Sequence, residues 1–374
     1  MIAENIIGEL KRAGADFFTM LPCEKARSLS DLISQNFRHV DLSNEEEGVG
    51  ICAGAYLAGA KPAMLVQSSG VGKMVNALCS LIETYELPLP VIVSWRGVYK
   101  EGIPAQIPLG KRLLAILEAL DIDYSIIETR NDIRAVCNAM SEAYAQNKAY
   151  FILLSPKLWE QEDERNRETQ ERNISRRVNE ANFQTKNLAP VLTRFEILKV
   201  LSEFLDKKIV VCNLGVPSKE LYHLKHQKTN FYMLGSMGLA SSIGLGLASF
   251  AKKEVVVIDG DGSLLMNLGT LSTIAVAKPS NLTILAIDNG VHGSTGNQPT
   301  ATSYGADLQL IAKGVGFANT YKAATEFQIL SAVKRLRKGP NFVHILAKPG
   351  NSEVSNIPLS PLEIKKNVME AIRY

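Results

Sequence analysis

The feature that most constrains the fold is an alternation of short apolar runs with helical patterns, which occurs twice along the chain. In the first half, patterns typical of helices separate predicted strands at residues 16–22, 39–43, 62–69, 90–95, 124–128 and 150–155. The second half repeats this arrangement, with predicted strands at 208–215, 231–235, 254–259, 282–288 and 342–348. Such alternation is typical of parallel sheets with helices on both faces. The sequence therefore predicts an α/β protein with two tandem doubly wound domains and mostly parallel sheets.

The alternation stops in the middle of the chain. Between residues 158 and 190, mixed charges are dense and apolar residues follow no period, a composition typical of linkers. We therefore predict a first domain at 1–157, a charged linker at 158–190 and a second domain at 191–374.

Composition excludes several classes of function. A net charge of +3 on 374 residues argues against nucleic-acid binding, and no apolar run reaches the roughly 18 residues that suggest a membrane span. Five scattered cysteines without CxxC spacing argue against a zinc site and against a disulfide framework. The charges of the first predicted helix interrupt any signal-peptide core. We expect a cytoplasmic protein.

Two strand ends carry residues suited to binding a cation. The apolar run 255–258 leads into Gly260, Asp261 and Gly262, and Asn289 follows the next strand, 28 residues after Asp261. One strand–helix–strand unit fits this spacing, so both side chains are expected at the ligand-binding edge of the sheet. Their oxygens suit Mg²⁺, which shares its shell with phosphates, and glycines allow close approach of backbone N–H groups. An ordinary helix N-cap is the alternative for Asp261.

These residues resemble the thiamine-diphosphate motif of a decarboxylase superfamily. The matching segments are Gly260 to Ser263 and the pair Asp288-Asn289. The motif usually ends in two asparagines, so Asp288 is a departure. The resemblance implies thiamine diphosphate and Mg²⁺ as cofactors. It implies cofactor contacts from Gly260, Gly262, Ser263 and the metal ligands, which are Asp261, Asn289 and the backbone carbonyl of Val291.

A second match follows the second predicted strand, in residues 44–59. The family places a glutamate about ten residues before a Gly/Ala-Tyr pair, and counting back from Tyr56 gives Glu46. The resemblance implies that Glu46 is catalytic, because it hydrogen-bonds the aminopyrimidine ring and drives it to its imino tautomer. We expect partial burial and a raised pKa at Glu46. The alternative for all three glutamates, and above all for Glu45 and Glu47, is that they complement the helix dipole.

A third match lies at residues 231–242. The resemblance implies that the carbonyl of Gly235 accepts a hydrogen bond from the cofactor's amino group, that Ser236 lies beside it, and that Met237 wedges the cofactor into its bent form. Ordinary core packing is the alternative for Met237. His292 follows the metal-binding segment and is a candidate proton relay, with a purely structural role as its alternative.

Five further segments resemble one subfamily, the sulfopyruvate decarboxylases, at residues 21–25, 45–59, 67–72, 94–111 and 288–300. In that subfamily the two halves often occur as separate subunits, and this chain resembles both fused. The resemblance implies non-oxidative decarboxylation of 3-sulfopyruvate to sulfoacetaldehyde and CO₂ through a thiamine diphosphate ylide, in coenzyme M biosynthesis. Phosphonopyruvate decarboxylase, or another 2-oxo acid decarboxylase with the same cofactor, remains the alternative.

A substrate with an anionic group on C3 needs cationic or N–H donors. Cationic candidates near the subfamily-like segments are Lys25, Lys73, Arg96 and Lys111, and the alternative for each is an ordinary solvated surface charge. Ser68, Ser69 and Gln106 could donate further hydrogen bonds.

The resemblance also implies a homo-oligomer, at least a dimer, in which the cofactor lies between the first domain of one chain and the second domain of another. The expected partner in solution is a small 2-oxo acid. A non-catalytic protein of the same fold is an alternative, but such proteins typically lose the residues found here as Glu46 and Asp261. A nucleotide-binding protein is a weaker one, because residues 244–249 form an apolar helix pattern and no Walker motif occurs.

Overall fold

The computed structural model of this protein describes residues 1–160 and 183–373. These divide into two compact units: the described residues up to 160, apart from 57–59, form the first, and residues 57–59 join those from 183 onward in the second. Most of the predicted linker lies outside the described residues, and the predicted domain boundaries stay predictions. No helix in the described ranges is long and apolar enough to cross a membrane.

The first unit contains a sheet of six strands whose pairings are all parallel. The strands are β1 Phe17–Met20, β2 Arg38–Asp41, β3 Pro62–Gln67, β4 Leu89–Ser94, β5 Asp123–Ile127 and β6 Ala149–Leu154. The α-helices are α1 Ile2–Arg12, α2 Arg27–Asn36, α3 Glu45–Leu57, α4 Ser68–Ala77, α5 Ile107–Ala119, α6 Arg134–Gln146 and α7 Pro156–Trp159. The strand order across the sheet is β2-β1-β3-β4-β6-β5.

The second unit contains another six-stranded parallel sheet and a short antiparallel hairpin. Its strands are β7 Ile209–Cys212, β8 Asn230–Tyr232, β9 Val255–Gly260, β10 Leu282–Asp288, β11 Val291–His292, β12 Gln298–Pro299, β13 Asn319–Ala323 and β14 Asn341–Leu346. Its helices are α8 Arg194–Leu201, α9 Val216–Lys225, α10 Ala240–Phe250, α11 Asp261–Met266, α12 Gly269–Ala277, α13 Leu308–Val315, α14 Glu326–Lys334 and α15 Pro361–Arg373. The sheet order is β13-β14-β10-β9-β7-β8.

The predicted fold class is confirmed, and each of the eleven predicted strands overlaps an observed one. Three strands were not predicted: β13 and the two strands of the hairpin. β13 is an edge strand in which four of five residues are half-buried, so it lacks the continuous apolar run by which strands covered on both faces are recognised. The hairpin strands have only two residues each.

Burial on both faces explains why the central strands are so apolar. All seven residues of β10 and the first five of β9 are buried. One covering helix, α10, lies so close to the sheet that a β-carbon on Gly244 would come within 2.2 Å of Val257 Cγ2. Packing this dense leaves no room for a side chain at position 244.

The two sheets share one strand order. Counting sheet strands from the start of each unit, both read second, first, third, fourth, sixth, fifth. The chain reverses its direction across the sheet between the first and third strands, which are β1 and β3 in one unit and β7 and β9 in the other. In open α/β sheets, ligands bind beyond the carboxyl ends of the strands at such a switch point.

A close backbone contact fixes the segment after β4. A β-carbon on Gly97, whose φ is +87°, would come within 2.2 Å of the Gln106 carbonyl oxygen. One on Gly110, in α5, would come within 1.9 Å of the Arg96 carbonyl oxygen. The two glycines therefore hold the loop that carries Arg96 against the start of α5.

We expect Gly110→Ala to lower the free energy of unfolding by about 1–3 kcal/mol, because the added methyl collides with rigid backbone. Gly8→Ala in α1 is the matched control: its β-carbon meets nothing within 4 Å, so the higher helix propensity of alanine should raise stability by up to about 1 kcal/mol. Urea denaturation of both variants measures the two effects. Equal stabilisation by both substitutions would contradict the proposed contact.

Candidate active site

A cleft opens at the carboxyl ends of β7, β9 and β10, at the switch point of the second sheet. Its lining includes, among others, Asn213, Met237, Asp261, Asn289 and His292. The two predicted side-chain metal ligands, Asp261 and Asn289, therefore line one cleft together with Met237 and His292.

Asp261 begins α11 and is only 2% exposed. Its Oδ2 accepts hydrogen bonds from the hydroxyls of Thr300 and Thr302, whereas no other described residue donates to its Oδ1. Burial raises the pKa of Asp261, because desolvation disfavours the charged form. A buried carboxylate that lines a cleft and receives no hydrogen bond from another described residue at one oxygen fits a cation as a further partner.

Asn289 follows β10 directly and is held by a tight loop. Its Oδ1 lies 3.2 Å from the backbone N of Val291, and Gly290 has a φ of +72°. The Gly290 carbonyl oxygen accepts from the backbone N of Thr300 at 2.8 Å and from Ser303 Oγ at 2.6 Å. The hairpin of β11 and β12 closes the loop and fixes Val291.

The donor set suits a cation that keeps other ligands. Within residues 1–160 and 183–373, no three His, Cys, Asp or Glu side chains form a metal-binding group. Mg²⁺ is commonly bound through one or two carboxylates together with substrate phosphates and water, without an all-protein cage. The residues present at Asp261 and Asn289 fit that mode of binding.

The imidazole of His292 packs against Gly262, at the first turn of α11. A β-carbon on Gly262 would lie 2.6 Å from His292 Cε1, whereas one on Gly260 would meet only Asn213 Nδ2, at 3.7 Å. A side chain at 262 would therefore have to displace the imidazole of His292, whereas position 260 has room for a β-carbon. His292 lies beside the predicted position of the diphosphate, and its role as a proton relay stays a prediction.

The predicted cofactor-contacting turn adjoins the same cleft. Ser236 has a left-handed backbone, with φ of +56°, and Gly238 follows with φ of +95°. The backbone N of Gly238 donates to Ser263 Oγ at 3.0 Å, which ties the turn to α11. Met237 lines the cleft and Gly235 is half-buried beside it, so the geometry is compatible with the predicted roles.

In the first unit, the three consecutive glutamates have different surroundings. Glu47 is fully buried, and its Oε1 accepts from Ser43 Oγ at 2.8 Å, so it caps the start of α3. Glu45 is buried 3.5 Å from Lys73 Nζ. Glu46 is half-buried and makes no hydrogen bond or ion pair with the described residues, and desolvation raises its pKa. Of the three, Glu46 has the carboxylate that is open to a ligand.

The candidate substrate-binding residues lie beyond the carboxyl ends of β3 and β4. Ser68 is buried and its Oγ donates to the Arg96 carbonyl oxygen at 3.2 Å. Arg96 is only 4% exposed and forms a bidentate pair with Glu101, with both N–O distances at 2.7 Å. Hydrogen bonding to Arg96 lowers the pKa of Glu101 to about 2. Much of the donor capacity of Arg96 is thus used within the protein.

The remaining candidates differ in exposure. Ser69 is half-buried, as is Gln106, whose Oε1 is buried without a hydrogen-bond partner in the described part of the chain. Lys25, Lys73 and Lys111 are exposed. Their contacts with substrate stay predictions.

Sequence reasoning missed several residues of the second unit that line the cleft. Asn213 follows β7, the strand beside β9, and strand position at the switch point would have indicated it. Arg194, buried, donates from Nε and Nη2 to Glu220 at 2.7 and 3.1 Å, and from Nη2 to Asn351 at 2.9 Å. Asn351 donates in turn to the Gly293 carbonyl oxygen at 2.8 Å, so this group braces the segment after the hairpin's first strand.

Two more buried carboxylates adjoin the site. Desolvation raises the pKa of Asp259 to about 7, and its Oδ2 has no hydrogen-bond partner among the described residues. Asp288 lies 2.8 Å from His344 Nε2. Burial lowers the pKa of His344, but the hydrogen bond to Asp288 and the nearby carboxylate of Asp307 outweigh it and raise that pKa overall. Asp288 stands where the family motif usually has asparagine. It has a basic partner, His344, that the sequence did not indicate.

Comparisons with known proteins identify the family. The model of the thiamine pyrophosphate enzyme N-terminal TPP binding domain matches residues 1–109, and that of the C-terminal TPP binding domain matches residues 215–345. Sulfopyruvate decarboxylase of Methanosarcina acetivorans is 43% identical, covering 99% of this chain and 97% of that protein. Phosphonopyruvate decarboxylase of Streptomyces hygroscopicus is 31% identical, covering 98% and 93%.

This chain is also similar to a relative with two separate subunits and to a solved structure. The beta subunit of sulfopyruvate decarboxylase from Methanococcus maripaludis is 46% identical over 49% of this chain and 98% of its own length, and the alpha subunit is 36% identical over 42% and 96%. Benzoylformate decarboxylase from Polynucleobacter necessarius has the same fold, with a TM-score of 0.69 at 13% identity, covering 94% of this chain and 99% of that one. The chain belongs to the thiamine pyrophosphate enzyme family, with TPP binding domains in both halves.

Proposed function

We propose that this protein catalyses the non-oxidative decarboxylation of 3-sulfopyruvate to sulfoacetaldehyde and CO₂, in coenzyme M biosynthesis, with thiamine diphosphate and Mg²⁺ as cofactors. The observation that carries the proposal is the buried carboxylate of Asp261, which lines a cleft together with Asn289 and receives no hydrogen bond from another described residue at Oδ1. The similarity to a sulfopyruvate decarboxylase along nearly the whole chain supports the choice of substrate.

Residues of the second unit hold the cation and face the diphosphate. Asp261, Asn289 and the Val291 carbonyl hold Mg²⁺, and the first turn of α11 from Gly262 to Ser263 faces the diphosphate. Bound thiamine diphosphate supplies a nucleophilic carbon and an electron sink. Decarboxylation breaks the C1–C2 bond of the substrate, releases CO₂ and leaves the electron pair on C2, which then takes up a proton. Burial raises the pKa of Glu46 above its usual value, which favours sharing of a proton with the cofactor.

The assembly and location are part of the proposal. We infer a homo-oligomer, at least a dimer, in which Glu46 of one chain and Asp261 of another serve the same cofactor, as the family resemblance implies. We also place the enzyme in the cytoplasm. All five cysteines are free thiols, which agrees with a reducing compartment.

Glu46→Gln is expected to lower kcat by about 100-fold or more, because it removes the ionisable group that shares a proton with the cofactor. Binding of thiamine diphosphate, measured by calorimetry, should change little because the amide can still form a hydrogen bond. Glu45→Gln is the matched control, and its activity should stay near wild type because Glu45 pairs with Lys73. Full activity of Glu46→Gln would mean that another glutamate has the catalytic role.

The substrate assignment is tested by assaying purified protein, thiamine diphosphate and Mg²⁺ with 3-sulfopyruvate and phosphonopyruvate in parallel. We expect kcat/KM for CO₂ release to be about tenfold or more higher with sulfopyruvate, because the two anionic groups differ in charge and hydrogen-bonding capacity. Turnover of phosphonopyruvate alone would favour the alternative, to which the 31% identical relative points.

The shared site is tested by complementation between inactive chains. Glu46→Gln and Asp261→Asn, carrying different affinity tags, are co-expressed and their hybrid oligomers are isolated. If each site combines two chains, one site of a hybrid dimer keeps both native residues, so we expect about half of wild-type activity per dimer. Hybrids as inactive as either parent would place Glu46 and Asp261 of one site in the same chain.

A further inference from the structure

We propose that His344 is a positioning residue for the metal-binding loop, holding Asp288 away from the cation so that Asn289 occupies the ligand position. The inference rests on the proposed function, because it presupposes Mg²⁺ at Asp261 and Asn289. His344 lies on β14, next to β10, and is 1% exposed. It does not line the cleft, so it acts through Asp288.

Both carboxylate oxygens of Asp288 are engaged. Oδ2 lies 2.8 Å from His344 Nε2. Oδ1 accepts from the backbone N of Gly290 at 3.0 Å and from Thr302 Oγ1 at 2.8 Å. Thr302 also reaches Asp261 Oδ2, at 3.3 Å. Asp288 therefore ties the loop that carries Asn289 to the segment that braces Asp261, and it cannot turn toward a cation without losing these contacts.

The charges explain why a basic partner is needed. An asparagine at position 288 would be neutral, whereas Asp288 adds a buried carboxylate that shares the Thr302 hydroxyl with Asp261. On its far side, His344 Nδ1 lies 3.5 Å from Asp307 Oδ1, and Asp307 Oδ2 lies 2.6 Å from Lys322 Nζ. The row alternates acids and bases, so the imidazole of His344 lies between two carboxylates and can compensate the charge of Asp288.

The same bonds fix the geometry of the loop. Gly290 stands between Asn289 and Val291, the two predicted ligands contributed by this loop, and its N–H is held by Asp288. Removing the partner of Asp288 would leave Oδ2 without its donor, so the side chain could rotate away from Gly290 and Thr302. Such a rotation would alter the metal-binding loop without touching a ligand directly. Partners of this kind typically contribute about 10–100-fold to metal affinity.

The test measures Mg²⁺ binding by calorimetry at saturating thiamine diphosphate, for wild type, His344→Leu, Asp288→Asn and the double variant. We expect His344→Leu to weaken Mg²⁺ binding about tenfold or more. Asp288→Asn should stay within about threefold of wild type, because an amide keeps the bonds to Gly290 and Thr302 without a charge. In the double variant, Asp288→Asn should restore the Mg²⁺ affinity that His344→Leu loses. A purely structural role of His344 would not produce this rescue, because the affinity would stay low whichever residue stands at 288.

Three controls keep the outcomes distinct. Asn341→Leu removes a buried polar side chain at the other end of β14, hydrogen-bonded to Thr283 at 3.3 Å, and should lower Tm without changing Mg²⁺ affinity. Asp261→Asn should abolish binding; if it binds like wild type, the metal site itself is wrong and the inference fails with it. If His344→Leu does not fold, His344→Gln replaces it, with a smaller loss expected and the same rescue.

Unchanged Mg²⁺ affinity in the His344 variant, with binding lost in Asp261→Asn, would overturn the positioning role and leave the proposed function intact. Failure of Asp288→Asn to rescue the His344 variant would overturn it equally, because the effect would then not pass through Asp288.

Discussion

The cost of burying carboxylates at the ends of parallel strands determines much of the second unit. Asp259, Asp261 and Asp288 all lie within the carboxyl-terminal edge of β9 and β10, where water is excluded. Each buried charge needs donors or a counter-charge. The hydroxyls of Thr300 and Thr302, the hairpin that brings them there, and the ion pair with His344 supply most of these. Asp261 lines the cleft, and in the proposed site a cation would supply the remaining counter-charge.

A common strand order gives both halves of the chain the same kind of ligand-binding edge. Both sheets reverse direction between their first and third strands, so each half presents its loops at that edge. The first half carries Glu46, in the helix after its second strand, and a densely bonded loop around Arg96. The second half carries Asp261 and Asn289, which follow two adjacent strands and are the proposed metal ligands. The two halves share a scaffold and differ in the residues that follow their strands.

Most of the fold was predictable because parallel strands covered on both faces consist of short runs of apolar residues. Asp261 and Asn289 were predictable because they follow two such runs. Other features depend on proximity that spacing does not encode: Asp288 and His344 are 56 residues apart in sequence and meet only because β10 and β14 are neighbours. Glu46 was singled out by resemblance, and only the contacts of Glu45 and Glu47 distinguish it physically. The edge strand β13 was missed because its residues are half exposed.

The contact between Gly262 and His292 has a consequence for sequence variation. The imidazole of His292 occupies the space that a side chain at position 262 would enter. A larger residue at 262 would therefore have to displace this half-buried imidazole. A smaller residue at 292 would make room for it, so one contact couples the two positions.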